Sequence, residues 1–312
     1  MELRHLRYFS AVAEAQSFSK AARRLGIKQP PLSKQIRQLE LEVGTVLFHR
    51  LPRGAALTDA GRVYLEDVRE ILGRVQLATQ HAQRVARGVL GRIRVGMINS
   101  APFHPFVPRV IRQFGQRYPQ VALSLEEAST PALALAMLDG SIDVAFVRPL
   151  LGEEPKLVLE TLFEEEMVVA LPEGHILAGA GTLKLERLAN EDFVLFSRTI
   201  GSGLYDEILS ACQRAKFSPR ISHEVLHVSS IANLVAAGLG ISVVPASMQQ
   251  VHAAGVVYRP IMGDAPKARM TLACRKDDPS MAVQNMVRLA RQQKRPASTA
   301  SPRRGSDRRQ NP

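Results

Sequence analysis

Ser17-Phe18-Ser19-Lys20-Ala21-Ala22-Arg23-Arg24-Leu25-Gly26-Ile27-Lys28-Gln29-Pro30-Pro31-Leu32-Ser33-Lys34-Gln35-Ile36-Arg37-Gln38-Leu39-Glu40 decides how this chain is read. Phe18, Ala22 and Leu25 recur at helical spacing and form one apolar face. Ser17 or Ser19 can cap that helix. Gly26 supplies a turn, where a positive φ is cheap. Pro30 and Pro31 suit the first turn of a following helix, where a missing N–H costs nothing. Leu32, Ile36 and Leu39 then face inward, and Ser33, Lys34, Arg37 and Gln38 face out. Two short helices, a tight turn and a polar, basic outer face make a helix-turn-helix of the kind that reads DNA. Any one of these residues alone reads equally as part of a solvated helix face; the set points to DNA.

Working outward, Leu3, Leu6, Phe9, Val12 and Ala13 predict a helix over Glu2–Ala15. Leu47–Arg50 and Ala55–Leu57 flank Leu51-Pro52-Arg53-Gly54, a short two-stranded wing with a basic tip. Thr58 caps a long helix in which Tyr64, Val68, Ile71, Val75, Ala78, Ala82, Val85 and Val89 alternate steps of four and three. Such a seam is the mark of a coiled coil joining two copies; the alternative is one helix packed on its own domain. Gly88 and Gly91 end it and make a hinge.

From Arg92 strands alternate with helices. Strands are expected at Ile93–Met97, Val121–Leu125, Ile142–Val147, Met167–Leu171, Phe193–Phe196, Ile241–Pro245 and Met270–Arg275. Helices are expected at Phe103–Tyr118, Pro131–Leu138, near Leu204–Lys216 and Ile231–Ala237, and at Met281–Arg291. The alternation implies a parallel sheet covered on both faces, as two α/β lobes with the chain crossing between them twice. The expected plan is a winged helix-turn-helix, mainly α, over 1–58, and a linker helix and hinge over 59–91. A two-lobed α/β domain follows over 92–294, its first lobe about 92–162 and 266–294 and its second about 163–265. The segment 295–312 is Pro/Ser/Arg-rich, lacks an apolar anchor and is expected to be a disordered basic tail.

The net charge of +12 over 312 residues is unevenly placed. Up to Gly88 there are 15 Lys/Arg against 8 Asp/Glu; from Val89 to Lys294 there are 21 against 20; the rest has five Arg and Asp307. A basic small domain on a near-neutral larger one fits phosphate-backbone binding by the former. No run of about 18 uncharged apolar residues predicts a membrane span. The start of the chain lacks the layout of a secretory signal. Cys212 and Cys274 offer neither a disulfide framework nor metal-ligand spacing, and are expected buried and reduced in a cytoplasmic protein. No nucleophile elbow, His/Glu metal spacing or phosphate loop is present; Gly238 and Gly240 follow a helix rather than a strand. An enzyme is therefore not expected, nor a cofactor. The alternative is a small-molecule-binding module or enzyme built on the two-lobed part.

Several stretches together resemble the LysR-type transcriptional regulators. They are Leu6–Phe9, Ser17–Ala22, Gln29–Ile36, Leu39-Glu40, Gly44, Leu47-Phe48 and Leu57–Gly61, then Asp139–Asp143 and Val235–Pro245. The resemblance covers 1–294. It implies a winged helix-turn-helix, a long coiled-coil linker helix and a periplasmic-binding-protein-like effector domain. Several stretches are most similar to the branch controlling aromatic-compound catabolism, whose members answer to small carboxylates such as muconate or benzoate. The implied partners are double-stranded DNA, a small carboxylate effector, further copies of the chain as a homodimer or homotetramer, and RNA polymerase.

A recognition helix offers its N-terminal side chains to base edges in the major groove. Here those are Gln29, Ser33, Lys34 and Arg37, with Pro31 beside them. Gln and Arg can bond bases bidentately, whereas Lys and Ser more often fix phosphates. The resemblance places Arg53 over the adjacent minor groove, and His49 and Arg50 near phosphate.

Ligands of open α/β sheets bind beyond the carboxyl ends of strands. Asn99-Ser100 and Ser129-Thr130 follow strands and open helices, which suits a carboxylate; ordinary N-capping is the other reading. The resemblance puts Ser100 and Thr130 on pocket positions, and Ser202, Gly203, Leu204 and Val228 on the facing lobe, with Phe196 just before that loop. Arg148 ends a strand and either meets a ligand carboxylate or pairs with a neighbouring acid. His227 and Ser229 face the cleft from a loop. Arg198-Thr199-Ile200-Gly201-Ser202-Gly203 departs from the relatives' several prolines. The glycines are expected to leave more room, and Arg198 to add positive charge.

Overall fold

A computed structural model describes residues 1–51, 54–149 and 154–294. The chain divides into two compact units, Met1–Arg84 and Val85 onward. The tip residues Pro52 and Arg53 and the segment 295–312 lie outside the described residues.

The first unit opens with α1 (Leu3–Ala15), α2 (Phe18–Arg24) and α3 (Gln29–Val43). Leu6, Phe9, Val12, Phe18, Ala21, Ala22, Leu32, Ile36 and Leu39 form its core. Ala21 and Ala22 are almost fully buried, so small side chains let α1 and α2 approach closely. Ser17 caps α2 by accepting the Lys20 amide at 3.4 Å. Gly26 takes φ +69° in the turn. The wing is β1 (Phe48–Leu51) paired antiparallel with β2 (Gly54–Leu57). Glu40 Oε1 accepts the amides of Leu47 (2.9 Å) and Phe48 (3.2 Å), which ties the wing to α3.

Thr58 caps α4 (Asp59–Ala86), accepting the Gly61 amide at 2.9 Å. The heptad seam is only partly free. Tyr64 and Val68 pack into the unit's own core, beside Leu65 and Leu72. Ile71, Ala78, Ala82 and Val85 are exposed. Val89 lies beyond the helix end. The seam thus begins as an intradomain face and becomes an uncovered stripe.

The second unit has two cores. Around the first lie β3 (Gly91–Met97), α5 (Phe106–Arg117), β4 (Val121–Glu127), α6 (Thr130–Leu138) and β5 (Val144–Val147). β6 (Leu157–Pro172) then carries the chain across to the second core. There lie β7 (Asp192–Phe196), α7 (Ser202–Arg214), β8 (Arg220–Val225), α8 (Val228–Ala236), β9 (Ser242–Pro245) and β10 (Val256–Pro260). β11 (Lys267–Arg275) returns to the first core, followed by α9 (Met281–Lys294).

The main sheet runs β10-β6-β11-β5-β3-β4, with β9 also on β6. Only β4, β3 and β5 are mutually parallel; β11 and β6 are antiparallel to their neighbours. β7 and β8 form a separate parallel pair. The all-parallel sheet expected from strand–helix alternation is therefore a mixed one. The reason is β6. Its 16 residues, at about 3.3 Å each, reach through both cores, Leu157 and Leu162 in one and Met167–Leu171 in the other. β11 beside it shifts register between Met270 and Thr271, a bulge where the pair passes between lobes. Hydropathy reads only the buried end of β6, because Glu160 and Glu164–Glu166 interrupt it. The helix expected from Phe103 starts at Phe106, after a 3-10 turn over Ala101–Phe103.

Gly88, expected as a hinge, is packed closely. An added Cβ there would lie 2.5 Å from the Met281 carbonyl carbon. Asn285 also donates to the carbonyls of Arg87 (3.3 Å) and Gly88 (3.5 Å). Among the described residues no helix is long and apolar enough to cross a membrane.

Candidate functional site

On the first unit, α3 presents Gln29, Pro31, Lys34 and Arg37 exposed and Ser33 half-buried. Their spacing follows from Leu32, Ile36 and Leu39 being buried, since the opposite face must then be polar. Among the described residues, Lys20, Lys28, Lys34 and Arg37 make no ion pair with a carboxylate, which leaves their charge for an external anion. His49 and Arg50 are exposed on β1. The Arg50 guanidinium stacks 5.1 Å from the Phe18 ring centroid. That contact fixes the wing's cation beside α2. Arg53 lies outside the described residues.

In the second unit, Ile98, Asn99, Ser100, Thr130 and Arg148 of the first lobe meet Phe196, Ile200, Gly201, Leu204 and Val228 of the second around a cavity of about 20 Å³. Seven of the ten effector residues expected from sequence thus come together. Of the other three, Ser129 lines a neighbouring cavity of about 210 Å³ with Asn99, Glu127 and His227. Gly203 lines a third, of about 280 Å³, with Arg148, Leu204, Glu207, Lys267 and Arg269. Ser202 is the first residue of α7 and lines none of these three.

Arg148 is the centre of this arrangement. Its side chain is 3% exposed. Nη1 donates to the Arg269 carbonyl at 2.9 Å and Nη2 to Ser100 Oγ at 3.4 Å, while its amide donates to Thr130 Oγ1 at 3.4 Å. Nε has no partner. Glu165 Oε1 stands 3.5 Å from Nη2, an ion pair without a formed hydrogen bond. Glu165 Oε2 accepts the Ser247 amide at 2.9 Å, so the crossover strand links the buried cation to the second lobe. Burial pulls the Arg148 pKa down, and the Glu165 carboxylate opposes that pull. Nearby, His104 stacks on Phe163 at 3.7 Å. Burial holds this imidazole below its usual range, so it sits neutral.

Ser129 is an ordinary N-cap, accepting the Ala132 amide at 3.4 Å, whereas Ser100 makes no capping bond and points its hydroxyl at Arg148. Asn99 crosses the cleft to the Leu226 carbonyl at 3.4 Å. Two expectations about the departing loop are overturned. Arg198 adds no free charge, because it forms a two-point pair with Asp206 at 3.0 and 3.1 Å. Gly203 makes no room either; an added Cβ would lie 2.7 Å from the Pro149 carbonyl oxygen. Glycine there lets α7 press against the backbone just after β5.

Glu165 was not legible as a site residue. It is the middle of three glutamates on a strand, and only the alternation of β6 separates it from Glu164 and Glu166. Those two pair across the ladder with Arg269 (2.5 Å) and Lys267 (3.8 Å). Asp143, in the Asp139–Asp143 motif, has a structural role. It accepts from the Arg94 amide and guanidinium and from Arg275. Burial pushes the Cys212 thiol up to about 11 and raises the Cys274 thiol as well.

A basic helix-turn-helix on one unit and a two-lobed cleft with a buried cation on the other define an effector-responsive DNA-binding protein. Residues 3–62 match the bacterial regulatory helix-turn-helix of the lysR family, and 86–295 match the LysR substrate binding domain. The chain is 37% identical to the HTH-type transcriptional regulator BudR of Raoultella terrigena, over 93% of this chain and 100% of that protein. It is 34% identical to the HTH-type transcriptional regulator CatR of Pseudomonas putida, over 94% and 99%. Full-length CbnR in complex with its target DNA superposes with a TM-score of 0.80 at 29% identity, over 94% of this chain and 100% of that one. The chain belongs to the LysR family. It is a DNA-binding transcriptional regulator with an effector-binding domain, and not an enzyme.

Proposed function

We propose that the effector is a small carboxylate and that Arg148 is the cation that receives it. The observation that carries this is the full burial of Arg148 between Ser100 and Thr130, with its one carboxylate partner among the described residues held loosely at 3.5 Å. A buried guanidinium short of partners favours an anion that can complete its hydrogen bonds. Ile98, Phe196, Leu204 and Val228 would enclose the ligand's apolar body, and Asn99, Ser100 and Thr130 its polar end. Ser129, Ser202 and Gly203 border the same region. A cavity of about 20 Å³ has room for a single water. An aromatic acid or a ring-cleavage diacid must therefore bind with a change of lobe angle, for which the paired strands β6 and β11 are the crossing.

The similarity to CatR speaks for the family's aromatic-catabolism branch, but BudR is more similar still, so the proposal rests on the carboxylate and not on the branch. On the DNA side Gln29 and Arg37 would face base edges. Ser33, Lys34, His49 and Arg50 would face phosphate, with Pro31 in van der Waals contact and Arg53 over the adjacent minor groove. The uncovered stripe of α4 would hold two copies together, so that paired recognition helices read a two-fold site. Pairs of dimers would follow. Ligand binding would shift the lobe equilibrium, with a coupling of about 1–3 kcal/mol, and change how the complex bends DNA or meets RNA polymerase.

A thermal-shift screen of aromatic acids and aliphatic diacids, run with Arg148→Met beside the parent, tests this. Stabilisation by an acid that is lost in Arg148→Met supports it. If neutral analogues stabilise the protein as well as the acids do, the carboxylate assignment is wrong.

A further inference from the structure

Among the helix-turn-helix residues, Ser19 was read as a possible cap. The cap of α2 is Ser17, which accepts the Lys20 amide at 3.4 Å. The Ser19 hydroxyl is thus released for another partner. It donates to Gln29 Oε1 at 2.9 Å, across the turn between α2 and α3. Both side chains are exposed, so nothing else in the first unit demands this bond.

The electrostatic setting fixes which end of the carboxamide turns inward. Gln29 is the first residue of α3, and Ser19 lies in the first turn of α2. Each helix start is a positive dipole end. Neither first turn holds an acidic residue, and Lys28 supplies no side-chain cap. Lys20, Lys28 and Lys34 add positive charge. A positive pocket attracts the carbonyl oxygen and turns the amino group outward.

The outward edge decides what Gln29 can read. A free carboxamide offers one donor and one acceptor, the match for adenine N7 and N6–H2. With its oxygen turned towards Ser19, Gln29 presents its amino end, and so two N–H donors, to the groove. They match two adjacent acceptors, which in the major groove is the guanine N7 and O6 edge.

We propose that Ser19 is a positioning residue that sets Gln29 to read guanine in preference to adenine. The role rests on α3 lying in the major groove with Gln29 at a base edge. Binding-site selection from randomised duplex DNA, using the full chain and its Ser19→Ala, Ser19→Thr and Gln29→Ala variants, tests it. The parent and Ser19→Thr should select guanine over adenine at one position of each half-site, by about tenfold, as one two-point base contact provides. Ser19→Ala should bring that ratio towards parity at this position alone. Its non-specific affinity and its salt slope should stay unchanged, which loss of fold would not allow. The proposal is overturned if Ser19→Ala keeps the parental ratio, or if the parent selects adenine there. If Gln29→Ala keeps the parental preference at every position, Gln29 reads no base, and the assignment of the DNA-reading face fails with it.

Discussion

Glu165→Gln isolates the buried pair. The substitution keeps the shape and an acceptor for the Ser247 amide, which now binds Oε2 at 2.9 Å, and replaces the oxygen facing Arg148 with a neutral amino group. Arg148, 3% exposed, is then left as a buried cation without a carboxylate. Breaking such a pair from one side costs about 3–5 kcal/mol. Here the cost falls near the lower bound. The ions are 3.5 Å apart without a formed hydrogen bond, and the Arg269 carbonyl at 2.9 Å still solvates the guanidinium. About 3 kcal/mol in a unit of this size lowers Tm by roughly 6–12 °C. Thermal unfolding followed by circular dichroism at neutral pH reads this, with the effector unit's transition scored separately from that of the DNA-binding unit. Arg148→Met/Glu165→Gln removes both charges and should recover most of the loss, because the cost lies in the unpaired ion. A single variant within 2 °C of the parent, or a double variant no more stable than the single, would refute the claim that this charge is buried and held by Glu165.

Asp143→Asn should destabilise the effector unit at neutral pH and flatten its acid limb. Burial alone would raise the Asp143 pKa, but hydrogen bonds from the Arg94 side chain and amide, and from Arg275, hold it below the usual range. A carboxyl depressed in the folded state contributes its full stability above the unfolded value, about 3.9, and loses it as pH falls through the folded one. Urea unfolding at neutral pH and below about pH 4 should show a gap between parent and variant that narrows in acid; a gap independent of pH rejects the assignment. Gly203→Ala forces a Cβ to within 2.7 Å of the Pro149 carbonyl oxygen, so the first turn of α7 must withdraw. Ligand-induced thermal stabilisation should weaken while operator affinity without ligand, measured by gel shift, stays the same. An unchanged ligand response would mean that this close approach is not part of the responsive conformation.

The helix-turn-helix was legible because its information is local. Capping, the Gly26 turn, the prolines opening α3 and the period of Leu32, Ile36 and Leu39 all lie within one stretch. The cleft was legible in part. Ser100 and Thr130 follow strands in the expected way, and Leu204 and Val228 sit on the facing lobe. Glu165 was not legible, because a strand that alternates between charged partners and a buried cation shows only three glutamates in a row. The room expected at Gly203 failed for a related reason. A glycine can mark space or close approach, and only the facing backbone, here Pro149, decides between them.

By itself, the sequence determined the elements whose faces are set by short-range period: the helices of the first unit, the wing, and the alternation that makes two α/β lobes. It also determined where the basic charge lies, since charge is a matter of composition. Tertiary structure alone decided which charges are spent on partners and which are left over. Arg198 is neutralised by Asp206, Arg148 is buried beside Glu165, and Gln29 has its oxygen taken by Ser19. Each depends on groups 8 to 17 residues apart, on different elements or turns, arriving within a few ångströms, and electrostatics and hydrogen bonds are strong only at that range.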